Sequence, residues 1–348
     1  MRVLVTGGAG FIGSQYVRML LAGDLPGTGE PRVTVLDKLT YAGNLANLDP
    51  VSGHRGLTVV AGDIGDAGLL ASLLPGHDVV VNFAAETHVD RSITGARAFV
   101  ETNVLGVQVL LDACLRAGVA RVIQVSTDEV YGSVSEGSWA EGAVMEPNSP
   151  YAASKAGGDM LARAYAKTHG LDVRITRCCN NYGPYQFPEK VIPLFITNLL
   201  DGLRVPLYGD GRNVRHWVHV ADHCRGIQLV LDHGTAGGVY HIGGDRELSN
   251  VELTEAILGC CGAGWDMVEH VRDRKGHDQR YAIDDSLLRG LGYAPHVGFE
   301  QGLAATMRWY RENRHWWQPL KKEQEQAHQD GAAGLTGHAA RGQDGRGR

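Results

Sequence analysis

Among its six cysteines the sequence has no C-x-x-C pair, and the adjacent pairs Cys178–Cys179 and Cys260–Cys261 have the wrong spacing for a zinc knuckle. No metal is expected, and the thiols read as reduced, as in the cytoplasm. Basic residues are not in excess: 33 Lys and Arg against 39 Asp and Glu give a net charge of -6. That removes the electrostatic ground for a nucleic-acid partner, and no basic stripe carries interleaved aromatics. No apolar run approaches membrane-spanning length, and the opening "MRVLVTGG" lacks the apolar core of a signal peptide. Neither a membrane association nor export is therefore expected. No internal repeat is visible. Residues 321–348 lack aromatics, are polar and glycine-rich, and bury too little to offset the entropy of ordering, so a mobile tail is expected there.

What is present is alternation. Short apolar runs at 2–6, 33–37, 57–63, 78–85, 121–127 and 172–177 read as strands, with helical patterns at 11–22, 66–74, 96–117 and 151–169 between them. Near-continuous Val, Ile and Leu imply strands covered on both faces, as in a parallel sheet. Strand–helix alternation adds right-handed crossovers, so the fold class is α/β, a doubly wound parallel sheet. After residue 177 the chain turns to short segments rich in Gly, Pro and basic residues. One more strand-plus-helix pattern at 218–232 and a strand at 238–244 imply a second half that interleaves with the sheet.

Three local patterns carry chemistry. "LVTGGAGFIGS" places Gly7, Gly8, Gly10 and Gly13 between the first strand and the first helix. Such a turn lets a pyrophosphate approach backbone amides at a helix N-terminus. Asp37 ends the second strand, where an acid accepts from ribose hydroxyls and repels a 2′-phosphate, favouring NAD over NADP; the neighbouring Lys38 weakens that preference. Asp63, closing "AGDI", either reaches the adenine or forms a turn.

"SPYAASKAGGDM" puts Tyr151 and Lys155 four apart on one helix face, after Pro150 at a helix start. A nearby ammonium is expected to lower the phenol's pKa and make Tyr151 a base for a substrate hydroxyl. Finally, "VIQVSTDEVYG" ends a buried strand in two adjacent acids, Asp128 and Glu129. Neighbours on an extended chain point to opposite sides, so a shared task requires the strand end to turn.

Tyr151-x-x-x-Lys155, "GGAGFIG" and Thr127 resemble the extended short-chain dehydrogenase/reductase superfamily. The strings "DKLTYAGNLANL", "NFAAETHVDRSI", "STDEVYG", "CNNYGPYQFPEKVIPL", "LYGDGRNVRHWVHV" and "DRKGHDQRYAID" narrow the resemblance to nucleotide-sugar 4,6-dehydratases, from residue 1 to about 317. The resemblance implies oxidation at C4 of a nucleotide-linked glucose, dTDP-glucose as the substrate, loss of water across C5–C6, and hydride return to C6. It carries Asp128 over as the acid at C6 and Glu129 as the base at C5, with Thr127 on the C4 oxygen.

For NAD the resemblance implies Gly7, Gly10, Phe11, Ile12, Gly13, Asp37, Lys38, Thr40, Asp63, Ile64, Ala84, Ala85, Thr102, Tyr151, Lys155 and Asn181. Around the sugar it implies Thr87, His88, Thr127, Asn180, Glu189, Lys190 and Val191. Arg215, Arg274 and His277 would hold the diphosphate and ribose, with Pro206, Tyr208 and Asn250 near the base. It divides the chain into an NAD-binding part, 1–177 with about 217–240, and a nucleotide-sugar part, 178–216 and 241–320, in a homodimer built on helices 96–117 and 151–169. Departures from the family pattern are His216 where an acid is usual, Thr87 for a common Ser, and a short span from Gly132 to Pro147. The rival readings are a C4-epimerase or decarboxylase of the same fold, which would lack the Asp-Glu pair, and a non-catalytic NAD-binding sensor.

Overall fold

The computed structural model describes residues 1–27, 29–273 and 276–323. Its strands are β1 (Arg2–Thr6), β2 (Arg32–Asp37), β3 (Leu57–Ala61), β4 (Val79–Asn82), β5 (Arg121–Thr127), β6 (Val173–Cys178), β7 (Asn180–Tyr182), β8 (Val205–Tyr208), β9 (Val214–His219), β10 (Val239–Ile242), β11 (Arg246–Ser249) and β12 (Val268–Val271). Seven form one parallel sheet in the order β3-β2-β1-β4-β5-β6-β10. Strand order reverses between β1 and β4, which opens a crevice at the carboxyl ends of the strands.

The expected doubly wound sheet is thus observed, for the expected reason. Val3, Leu4 and Val5 are fully buried, flanked by Val33–Val35 on one side and Val79–Val81 on the other. Helices Phe11–Ala22 and Val220–His233 cover one face through Tyr16, Val17, Leu20, Ile227 and Leu231. Helices Ala67–Leu73, Val107–Ala117 and Pro150–His169 cover the other through Leu70, Leu110, Leu111 and Ala162. Burying one such Leu or Ile side chain contributes about 2 kcal/mol, and this repeated packing sets the sheet's rigidity.

Boundaries differ from expectation where the chain leaves the sheet to build a site. The strand expected over 78–85 stops at Asn82, and Ala84 and Ala85 instead line the crevice. The helix expected over 96–117 contains a π-helical turn, Glu101–Gly106. Contrary to expectation, Arg97–Ala117 is a 21-residue helix apolar enough in length and composition to cross a membrane. Its apolar residues Phe99, Val107, Leu110, Leu111 and Cys114 are buried against the protein, which accounts for much of that composition.

The second lobe packs Ile192, Phe195, Trp217, Leu253, Phe299, Tyr310 and Trp317 into a separate core, beside the small sheets β11-β9-β7 and β12-β8. The first residues of the expected tail are ordered. Residues 321–323 are helical, and Lys321 Nζ bonds Asp201 Oδ2 at 2.9 Å. Residues 324–348 lie outside the described residues.

Candidate active site

One cleft runs along the carboxyl ends of β1, β2, β4, β5 and β6, and all sixteen residues assigned to the cofactor line it. Its floor is the glycine loop. Gly7 has φ +66°, and a Cβ there would sit 2.6 Å from the Ala84 amide nitrogen; one on Gly13 would sit 2.3 Å from the Gly7 carbonyl oxygen. Only glycine fits both places. The following helix, Phe11–Ala22, has no side-chain cap and no acid in its first turn. Its first amides therefore have no side-chain acceptor, which suits a pyrophosphate.

Asp37 is buried, and its two oxygens accept from the Ala9 amide at 2.9 Å and the Leu39 amide at 2.8 Å. The carboxylate thus ties the glycine loop to the loop after β2, while burial pushes its pKa up and those amides pull it back. Lys38 Nζ is paired with Asp63 Oδ2 at 2.7 Å, and Asp63 Oδ1 accepts from the Gly65 amide at 2.8 Å. Asp63 therefore both forms a turn and lines the cleft. With Lys38 committed to Asp63, the reservation about a 2′-phosphate loses force. These residues fit a dinucleotide without that phosphate.

The strand-end question resolves in the backbone. Directly after Thr127 the chain closes a single 3-10 turn, Asp128–Tyr131, with Thr127 Oγ1 accepting from the Glu129 amide at 3.3 Å. The turn ends the strand alternation and brings both acids to the same cleft. Their surroundings differ. Glu129 is half-buried, whereas Asp128 is 3% exposed. Asp128 Oδ1 accepts from Thr127 Oγ1 at 3.3 Å and Oδ2 has no hydrogen-bond partner among the described residues. Burial first, then the charge of Glu129, pushes its pKa up to about 8, against the opposing charge of Arg215. One carboxyl is therefore a neutral acid at pH 7 beside a more exposed neighbour.

Tyr151 and Lys155 also face this cleft, from the helix capped by Ser149 and opened by Pro150. Here one expectation is corrected. The Tyr151 phenol is pushed well above its ordinary value, by burial first and then by Glu129, Cys178 and Asp128; the Thr127 hydroxyl pulls the other way. The Lys155 ammonium is itself buried and donates to the Val125 carbonyl at 2.7 Å. Burial, which spacing does not reveal, sets the direction, and the lysine is not among the groups that oppose it.

Of the residues assigned to the sugar nucleotide, Thr87, Thr127, Asn180, Glu189 and Lys190 line the cleft. His88 and Val191 stand at its edge: His88 Nε2 is 3.8 Å from Glu189 Oε2, and Val191 opens the helix after Lys190. Arg91 Nη2 also reaches Glu189, at 3.0 Å. Pro206, Tyr208, Arg215, Asn250 and His277 are not in the wall of this cleft but belong to the adjoining second lobe. Tyr208 and His277 are ring neighbours at 6.5 Å. Arg215 donates to the Asp278 carbonyl at 2.9 Å and lies over the Tyr281 ring, from where its charge reaches Asp128. Asn250 is anchored through its amide to the Asn213 carbonyl. Arg274 lies outside the described residues. His216 alternates with Arg215 along β9 and packs near Gly243, so the departure there does not touch the cleft.

Sequence reasoning missed several contributors. Asn103, in the π-helical turn, accepts from the Glu86 amide at 2.9 Å and donates to Ser154 Oγ at 2.9 Å, joining the loop after β4 to the Tyr151 helix. Cys178 and Cys179 line the cleft where β6 ends, a position that the strand-end rule would have flagged. Trp316 lines it from the far end of the chain, donating to Asn47 Oδ1 at 2.9 Å, and nothing local signals that contact.

A family model described as GDP-mannose 4,6 dehydratase matches residues 4–306. The chain belongs to this dehydratase family. A dTDP-glucose 4,6-dehydratase of Streptomyces niveus is 59% identical over 335 residues, 96% of this chain and 100% of the relative. The crystal structure of DesIV, a dTDP-glucose 4,6-dehydratase from Streptomyces venezuelae with NAD and TYD bound, superposes with TM-score 0.91 at 65% identity, covering 92% of this chain and 100% of that one. A Thermus thermophilus UDP-glucose 4-epimerase in complex with NAD is more distant, at TM-score 0.81 and 33% identity over 90% and 100% of the two chains. Within the dehydratase family the acid pair and its unequal burial acquire a specific meaning.

Proposed function

We propose that this chain is an NAD-dependent hydro-lyase that converts dTDP-glucose into dTDP-4-keto-6-deoxyglucose. The observation that carries the reading is the buried Asp128 beside the more exposed Glu129 in a cleft that also holds Thr127, Tyr151 and Lys155. The glycine loop, Asp37 and the other cleft residues hold NAD, which when bound takes a hydride from C4 and returns one to C6.

Tyr151 takes the C4 hydroxyl proton, and Thr127 donates to the C4 oxygen. The ketone at C4 acidifies the C5 proton, which Glu129 removes. Asp128 gives its proton to the C6 hydroxyl, which leaves as water as the C5–C6 double bond forms. Addition of hydride at C6 and of a proton at C5 completes the 6-deoxy sugar. Glu129 and Asp128 both oppose the phenolate of Tyr151, so keeping Asp128 neutral removes one of those obstacles.

The thymidine diphosphate is assigned to the second lobe: Arg215, Arg274 and His277 on the diphosphate and ribose, Pro206, Tyr208 and Asn250 near the base, with Thr87, His88, Asn180, Glu189, Lys190 and Val191 around glucose. Thymine rather than uracil rests on the relatives, since the same arginines suit either. A homodimer formed through helices 97–117 and 150–169 accounts for their exposed apolar residues Val100, Leu105 and Met160, 52%, 56% and 53% exposed. Six free thiols, four of them buried, fit a cytoplasmic enzyme.

The test is incubation with dTDP-, UDP-, CDP- and GDP-glucose and mass analysis of the products. Loss of one water from dTDP-glucose supports the reading. A product of unchanged mass with inverted C4 would make the chain an epimerase, and no turnover of any of them would leave a binding protein.

A further inference from the structure

The proposed chemistry leaves unused a pair of buried opposite charges behind Lys155. Asp159 follows Lys155 by one helical turn on the same face of helix Pro150–His169, and its side chain is fully buried. Asp159 Oδ2 accepts a 2.9 Å hydrogen bond from Nε of Arg177 in β6, which is 1% exposed. Neither residue lines the cleft. Burying two charges is costly, and an apolar pair of similar volume is often at least as stable, so packing alone gives weak reason for an ion pair here.

We infer that Asp159 is a positioning residue for the reaction: its carboxylate, paired with Arg177 and one turn along the helix from Lys155, supplies the negative charge that favours the buried Lys155 ammonium. The inference rests on the reading of Lys155 as the proton-transfer partner of Tyr151. The only hydrogen bond Lys155 makes within the described residues is to the neutral Val125 carbonyl. Burial drives such an ammonium toward the free amine, and the negative charge of Asp159 opposes it.

The surrounding groups leave that task to Asp159. On the same helix stands Tyr151, and from β6 comes Cys178, whose thiol burial pushes up to about 12 and so stays neutral. From β5 come the Val125 carbonyl and the Ser126 hydroxyl, and beyond it the turn of Asp128 and Glu129, which face the cleft. Asp159 Oδ1 makes no close hydrogen bond among the described residues, although the Ser126 hydroxyl is near enough to favour the charged form. Arg177 is shared with the Tyr131 hydroxyl, which also meets His241 Nε2 at 2.7 Å. Burial pushes His241 down to about 4, so it adds no second cation at neutral pH.

The test follows reduction of bound NAD by dTDP-glucose in single turnovers, in an Asp128→Asn background where the alkaline limb of Asp128 is absent. Adding Asp159→Asn should move the alkaline limb of this step down by about one pH unit or more, roughly a tenfold loss above the limb, with the low-pH rate retained. An Asp159→Leu/Arg177→Met pair in the same background, which restores apolar packing, should show a shift in the same direction. Folded variants of both kinds with an unshifted profile, or with rates lowered equally at every pH, would overturn the inference. Lys155→Met is the control. Loss of NAD reduction in it leaves the reading of Lys155 intact whatever Asp159 does, and undiminished reduction would instead sink that reading.

Discussion

Replacing Asp128 with Asn keeps the shape and removes the transferable proton, so it separates the two roles that the buried carboxyl combines. With a pKa of about 8, Asp128 is about nine-tenths protonated at pH 7 and about one-tenth at pH 9. Wild-type dehydration should therefore fall along an alkaline limb near pH 8. Asp128→Asn should lose about 10²- to 10⁴-fold in dehydration, the usual span for a positioned acid. Stability should move the other way. A carboxyl with a pKa raised on folding binds more protons folded than unfolded between about 4 and about 8, so stability declines as pH climbs through that window.

The shift from 3.8 to about 8 is roughly 4 units, an upper bound of about 6 kcal/mol at about 1.4 kcal/mol per unit. Structural relaxation and water entry reduce it, and a gain of about 2 kcal/mol for the Asn variant at pH 9, vanishing near pH 4, is expected. The assays are product mass for dehydration, reduced-cofactor absorbance for C4 oxidation, and urea melts at pH 4 and pH 9. An Asn variant that dehydrates at the wild-type rate would refute the reasoning, as would one no more stable than wild type at pH 9.

Gly13→Ala puts a methyl against the Gly7 carbonyl at 2.3 Å, so it should arrive without NAD or fail to fold, read from bound nucleotide and the thermal midpoint. Trp316→Phe removes the bond to Asn47, whose Nδ2 holds the Ala9 carbonyl of the glycine loop at 2.8 Å; about fivefold weaker NAD binding with kcat unchanged is expected in a titration, worth about 1 kcal/mol. Leu105→Glu, at an exposed apolar site, should give a monomer in sedimentation; a wild-type chain that is itself monomeric removes the proposed dimer.

The sheet was legible because its signals are local: uninterrupted Val and Ile runs, a glycine loop at the first strand end, a Pro150 helix start. Most of the cofactor assignments fell into one cleft for the same reason, since they sit at a strand end or in the turn and helix start after it, whereas Thr102, Tyr151 and Lys155 reach it from helices. What escaped were contacts across the chain and depth of burial. Trp316 meets Asn47 across 269 positions, and Arg177 meets Asp159 across a sheet-to-helix packing that no periodicity marks. Spacing put Tyr151 and Lys155 in one cleft but gave the wrong direction for the phenol, because the desolvation of both groups is a property of the packed core. For the acid pair the reverse holds. Strand alternation alone sends the two carboxyls apart, and one 3-10 turn brings them together.

The central claim is that one cleft removes and restores the same hydride while the acid pair expels water between the two events. Turnover of dTDP-glucose deuterated at C4 tests it most directly. The account predicts a 4-keto product carrying the deuterium at C6. Deuterium washed into solvent or free cofactor, or kept at C4, would contradict it.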